Sequence, residues 1–326
     1  MPANIDESTG KPAIAYVGDT PWYGFGTKVD HVMTSAEAIQ LGGLNYEVDL
    51  KPLYVNTGKF TEVTSHKGIV RRDTGRVLGI ASPKYTIMQP RDCFEFFDAV
   101  TTVEAAKYEV VGALDGGKRI WLLAKLPGEM VIAKDDVVEK YVLLTNGYDG
   151  WHALQMKWTP IRVVCQNTLT AALGSGGGFY AKHTSYITDK AKQAQEILGI
   201  SNRFYAEFEE RAKGLAALPA LPSPDLTRYT TFLFQAKEDK AVEEQHKMKR
   251  NDIEKVLELV ETGRTVGEKG TPWNWYNAVV EFADYYQPVR ALKTRPDARL
   301  EEAWFGKGDA LKQKAWDMVT GKIVLM

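Results

Sequence analysis

The chain has only two cysteines, Cys93 and Cys165, in 326 residues. That is too few for a disulfide framework, and no Cys-x-x-Cys pair is present to suggest a structural zinc site. Cys93 lies in an aromatic helix pattern and Cys165 follows Val163-Val164, so both read as buried, reduced thiols and point to the cytoplasm. No apolar run approaches the ~20 residues of a membrane span, and Met1 to Lys11 lacks the apolar centre of a secretory signal. A loose polar arm at the N-terminus and no membrane association are expected. An excess of positive charge is also missing: 41 Lys and Arg face 42 Asp and Glu, for a net charge of -1. This removes the overall basic balance of many nucleic-acid binders and leaves only a local basic surface.

Catalytic signatures are equally scarce. Gly75, Gly116 and Gly117 fall in turns between strand patterns, whereas a phosphate-binding loop places its glycines between a strand and a helix. The run Gly174 to Gly178 reads as a flexible connector leading to the aromatic and basic stretch Phe179 to His183. Cys165 with His152 or His183 could form a thiolate pair, but a buried cysteine is a poor nucleophile. The same three residues with Asp149 match no close zinc-ligand spacing. His31, His66 and His246 stand in polar contexts and read as exposed side chains. No catalytic residue, metal or cofactor is expected, and the chain reads as a non-enzyme.

What is present, 44% hydrophobic and 25% charged residues, is ordinary for a globular protein. Strand patterns run over Tyr46 to Leu50, Pro52 to Val55, Ile69 to Arg72 and Val77 to Ile80, the last two forming a hairpin around Asp73-Thr74-Gly75-Arg76. A helix opens at Gln89-Pro90-Arg91-Asp92, with Phe94, Phe97 and Val100 on the face that the sheet should receive. A second round follows: Tyr108 to Leu114 and Arg119 to Leu126 flank Asp115-Gly116-Gly117-Lys118, then strands near Tyr141 to Thr145 and His152 to Trp158 precede a helix entered after Pro160. Beyond Thr188 the periodicity is helical, with segments over 188–212, 235–261, 273–286 and 301–319. The expected fold is α+β, an antiparallel or mixed sheet with hairpins and packed helices over 1–187, followed by a mainly helical region over 188–326.

The most informative stretch is Asn146-Gly147-Tyr148-Asp149-Gly150-Trp151-His152, followed by Thr159-Pro160-Ile161-Arg162-Val163-Val164-Cys165-Gln166-Asn167-Thr168-Leu169. With Val163 to Leu173 read as a helix, Arg162, Gln166 and Asn167 cluster near its start, where free N–H groups favour an anion and Arg162 could grip a phosphate. A buried polar network is the alternative.

These residues, with Pro21-Trp22-Tyr23-Gly24-Phe25-Gly26 and Thr271-Pro272-Trp273-Asn274-Trp275-Tyr276-Asn277-Ala278-Val279, carry a resemblance over most of the chain. It resembles a phage/plasmid-like protein family of unknown function found in prophages, phages and conjugative plasmids. The resemblance implies a mobile-DNA setting in a bacterial host and names no activity. At the level of architecture only, hairpins followed by a helix also resemble the single-strand annealing proteins of phage recombination. That likeness implies binding of strand backbones in a positive groove, oligomers, and no metal or nucleotide for annealing.

Non-catalytic binding or annealing of single-stranded DNA is therefore expected. Arg71, Arg72, Lys118, Arg119, Lys157 and Arg162 would hold phosphate, with Trp121 or Trp158 stacking on bases. Strand alternation puts Arg119, Trp121, Leu123 and Lys125 on one face. A solvated sheet edge over buried aromatics is the alternative for each residue. The alternative function is a protein-interaction factor that blocks a host defence or replication protein. Expected partners are single-stranded DNA, further copies of the chain, and under the second reading a host protein.

Overall fold

In the computed structural model the first half of the chain is built on two sheets. Described are residues 6–8, 10–18, 26–103, 106–134, 136–162, 165–168, 178–181, 183, 190–234, 242–264, 268–288 and 307–322. The elements follow one another as β1 (Ile14–Val17), β2 (Thr27–Val29), α1 (Ser35–Leu41), β3 (Val48–Asn56), β4 (Phe60–Arg71), β5 (Val77–Ala81), α2 (Pro90–Val103), β6 (Lys107–Leu114) and β7 (Arg119–Ala133). Then come β8 (Asp136–Gly147), β9 (Leu154–Arg162), β10 (Cys165–Thr168), β11 (Gly178–Ala181) and helices α3 (Lys190–Ala217), α4 (Ser223–Phe234), α5 (Val242–Thr262), α6 (Pro272–Glu281) and α7 (Lys307–Val319). The fold is α+β, and every described element after β11 is helical.

The larger sheet runs β10-β9-β8-β7-β6-β1-β2, with β11 also pairing to β9. It is mixed, because β1 pairs parallel to β2 and antiparallel to β6. Its central strand β7 reads Ile120-Trp121-Leu122-Leu123-Ala124 without polar interruption, and all five are buried. A strand covered on both faces has no reason to alternate. The smaller sheet is antiparallel, in the order β3-β4-β5. The turn Asp73 to Arg76 joins β4 to β5 as expected, with Val70 opposite Val77.

Helix α2 forms where Pro90 opens it, and Cys93, Phe94, Phe96 and Phe97 are buried. The rings of Phe94 and Phe97 lie 5.7 and 5.6 Å from Tyr108 of β6. Gln89, just before the helix, uses its side-chain amide as a strand partner: Oε1 accepts Val48 N–H at 2.9 Å and Nε2 donates to the Val48 carbonyl at 2.8 Å. The start of β3 is fixed in this way. Helix α1 begins in a capping box, Thr34 accepting from Glu37 N–H and Glu37 accepting from Thr34 N–H. Thr34→Ala should cost about 1 kcal/mol in chemical denaturation, because the Glu37 N–H loses its side-chain acceptor while the backbone N–H of residue 34 keeps the Glu37 carboxylate.

Two parts of the chain depart from the sequence-based expectation. Among the described residues directly after Pro160 no helix forms: Ile161 and Arg162 continue β9, and Thr168 and Cys165 pair opposite them, while Val163 and Val164 lie outside the described residues. Ile161, Val163, Val164 and Thr168 are β-branched, and a ladder accommodates such residues better than a helix does. Leu169 to Leu173 lie outside the described residues. The N-terminal arm is also not loose where it is described. Asp6 N–H donates to Ala113 and the Asp6 carbonyl accepts from Ala13, at 3.1 and 2.8 Å.

Two compact units divide the chain. One comprises Met1–Pro127, Tyr141–Trp158 and Gly178–Ser201, and the other Gly128–Lys140, Thr159–Gly177 and Asn202–Met326. The core of the second is aromatic. Phe208 stacks on Trp316 at 5.1 Å, Trp316 meets Tyr276 edge-on at 5.2 Å, and Phe208 meets Trp273 at 6.0 Å. The indole N–H groups are satisfied inside it, Trp273 donating to Asp136 at 2.7 Å and Trp275 to Thr230 at 2.9 Å.

Candidate functional site

The expected phosphate-holding residues do not form one surface. Arg71 is completely buried. Its guanidinium bonds Asp6 and both oxygens of Asp73, the latter at 2.7 and 3.0 Å, and lies 4.0 Å over the Tyr46 ring. Such a group holds the fold together and is not presented to a strand. Arg72 is exposed but paired with Glu47 and Asp49. Lys118 pairs with Asp115 at 2.9 Å. Trp121 and Trp158 are buried, at 2% and 1% exposure. The shared face of Arg119, Trp121 and Leu123 exists, but it is covered, and the Trp121 ring lies over Gly112, where an added Cβ would sit 2.6 Å from it. Lys157 is half-buried on β9. Arg162 closes β9 opposite Cys165, so the helix start proposed for anion capture does not form. The side chains of Arg162, Cys165, Gln166 and Asn167 lie outside the described residues.

The structure offers two other features. The first is the outer part of the β3–β4 hairpin. From Lys51 to His66 every residue is exposed except Leu53 and Val63, which are half-buried. Tyr54 pairs opposite Glu62 and Asn56 opposite Phe60, so Tyr54 and Phe60 share one face of this arm. They are 54% and 76% exposed. Between Val48 and Arg72 the sequence carries five cations against two carboxylates, a local basic excess within a chain of net charge -1. Lys51 pairs with Asp49 at 3.4 Å, while Lys59 and Lys67 have no ion pair among the described residues. Pro52 and Lys51 on the edge strand, with the register shift between Pro52 and Tyr54, disfavour pairing of that edge with another strand.

The second feature is the turn of the Asn146 to His152 stretch, which joins β8 to β9. Asp149 organises it: Oδ1 accepts the N–H groups of Trp151 and His152, both at 2.9 Å, and Oδ2 lies 2.5 Å from His152 Nδ1. Burial pushes the Asp149 carboxyl up, but the bonds from the His152 ring and the two backbone N–H groups outweigh it and hold it well below the ordinary value. On the other side of the imidazole, Arg119 Nη2 lies 2.5 Å from His152 Nε2. An Arg can only donate, so Nε2 accepts and Nδ1 carries the proton that goes to Asp149. Tyr85 closes the group, donating from its hydroxyl to the Gly147 carbonyl at 3.1 Å and stacking on the His183 ring at 4.5 Å. His183 is buried, which lowers its pKa, and its Nδ1 lies 3.2 Å from the Thr86 carbonyl. Thus both ring nitrogens of His152 and Nδ1 of His183 have partners within this group, and the side chain of Cys165 lies outside the described residues. Among the described residues no group of three or more His, Cys, Asp or Glu could hold a metal ion, and no helix is long and apolar enough to cross a membrane.

Sequence reasoning placed Pro52 to Val55 in a strand but missed the extension of β4 back to Phe60. Residues wet on both faces follow no two-residue alternation, so Thr61 to Lys67 carries no strand period to find. The composition signal was present in the cations and in Tyr54 and Phe60.

Fold and site together define an α+β protein with an exposed hairpin and with helices in every described element after β11. The chain belongs to a domain family of unknown function, DUF932, whose model matches residues 77–304, more than half of its length. The match contains the Asp149–His152 turn, while β3 and β4 precede it. No curated protein and no solved structure matches the chain.

Proposed function

We propose that this protein binds single-stranded DNA without reacting on it, in the cytoplasmic DNA metabolism of a phage or plasmid, and does so as an assembly of several copies. The observation that carries the reading is the β3–β4 arm, where exposed Tyr54 and Phe60 share a face close to unpaired Lys59 in the same hairpin. Aromatic faces stack on bases of any identity and ammonium groups neutralise phosphates, which is what sequence-tolerant strand binding needs. The interface so proposed keeps the chemistry expected from the sequence but moves it away from Arg71, Trp121 and Trp158, which are buried.

The test uses fluorescence anisotropy of a labelled oligonucleotide over a range of salt. Tyr54→Ala and Phe60→Ala should each weaken binding about five- to a hundredfold, the worth of one stacked base, with the salt slope retained. Lys59→Ala and Lys67→Ala should each flatten the logarithmic salt slope by roughly 0.7. All four positions are exposed or half-buried, so melting temperatures should barely move. Affinities unchanged in all four variants would remove the arm from the interface.

A second reading is a protein-interaction factor acting on a host defence or replication protein. It is favoured by one observation: Val55, Val77 and Ile80 on the small sheet are each at least half exposed, an apolar presentation that suits a protein surface. A stoichiometric host partner with no affinity for oligonucleotides would select it.

A further inference from the structure

We propose that Trp151 is a second base-stacking platform, taking one unpaired base of the strand that the arm binds; this rests on the single-strand reading above. Trp151 is 88% exposed, whereas every other tryptophan with a described side chain is at most 2% exposed. A fully wet indole loses the burial that normally makes tryptophan worth having in a fold. Here it stands on backbone that is clamped from both sides. Its own N–H and that of His152 are held by Asp149. Gly150, at φ +86°, lies so close to β5 that a Cβ there would meet the Ile80 carbonyl oxygen at 2.0 Å, and a Cβ on Gly79 would meet the Asp149 backbone at 2.4 Å. Upstream, Tyr148 N–H donates to Lys118 at 2.7 Å and its hydroxyl to Met88 at 2.9 Å.

An aromatic side chain on a pre-ordered turn gives up little freedom when a partner covers it, which is the property of an interface anchor. Two observations favour a nucleic-acid base as the occupant. The contact of Gly150 and Asp149 with Gly79 and Ile80 seats the turn directly on the sheet whose other two strands form the arm. His152, next to Trp151, adds a second flat ring with 45% of its side chain exposed, fixed edgewise between Asp149 and Arg119. Arg119 and Asp149 act as positioning residues that hold this ring and the turn.

The experiment is oligonucleotide binding by the full chain carrying Trp151→Ala or Trp151→Phe. Trp151→Ala should weaken binding about five- to a hundredfold with the salt slope unchanged, because a stacked base and no phosphate contact is lost, and Trp151→Phe should recover most of the affinity. Iodide quenching adds a direct readout: oligothymidylate should shield part of the quenchable fluorescence in the native chain, and that part should be missing from Trp151→Phe. Wild-type affinity in Trp151→Ala, alongside weakened binding in Phe60→Ala, would overturn this inference and leave the arm reading standing. Absence of binding by the native chain would overturn both.

Discussion

An Asp6→Ala variant should lose about 3–5 kcal/mol of unfolding free energy, although Asp6 lies far from either proposed binding feature in sequence. The carboxylate and the Arg71 guanidinium form an ion pair with side-chain exposures of 1% and 0%. Removing one partner leaves the other charge buried and under-compensated, and that penalty exceeds the net worth of the pair. Asp73, 42% exposed at its side chain, keeps two bonds to Arg71 and sets the loss nearer the lower end. The same pair gives a pH signature. Burial pushes the Asp6 carboxyl up, but the bonds from Ser8 and Arg71 outweigh it and hold its pKa below the ordinary 3.8. A depressed carboxyl contributes stability that is fully present above its ordinary value and is lost as the pH falls through its folded value. Urea denaturation of the native chain and of Asp6→Ala should therefore differ most near neutrality. The gap should close in acid below about pH 4. A constant gap across that range would mean that the pair is not what Asp6 contributes.

Gly150→Val should be the most damaging single change in the Asp149 to His152 turn, lowering stability by roughly 2–4 kcal/mol. Two costs add. The residue sits at φ +86°, a region that β-branched side chains avoid. Its Cβ would also meet a backbone oxygen of β5 at 2.0 Å, and a strand oxygen cannot rotate away as a side chain can. Relief requires the turn to lift from β5, which would misplace Trp151 and His152 as well. Thermal melting should show the stability loss, and iodide quenching of Trp151 should show a changed environment. A variant with native stability would contradict the clamped geometry.

The sequence made parts of this fold legible for physical reasons. Helix α2 was readable because Pro90 marks its start and Phe94 and Phe97 fall on one buried face. The β4–β5 hairpin was readable because Asp73-Thr74-Gly75-Arg76 is turn chemistry between apolar runs. The segment after Pro160 was not, since Val163 to Leu173 has helical apolar spacing while tertiary pairing with β9 draws Cys165–Thr168 into a strand. Burial was the hardest quantity to read. Arg71 and Arg72 are neighbours in sequence, yet alternation sends one into a buried ion pair and the other to the surface. Trp121 and Trp151 each stand as a single tryptophan in the strand-rich part of the sequence, and only the covered faces of β7 and the clamped turn tell the buried one from the exposed one.

The central claim is tested most directly by titrating the native chain into a labelled single-stranded oligonucleotide at low and at moderate salt. Binding should be saturable, should weaken as salt rises with a slope of roughly 0.7 for each neutralised phosphate, and should vary little between oligonucleotides of different base sequence. No saturable binding even at low salt by the assembled native protein would contradict the account and leave the host-protein partner as the reading that the exposed apolar residues of the small sheet support.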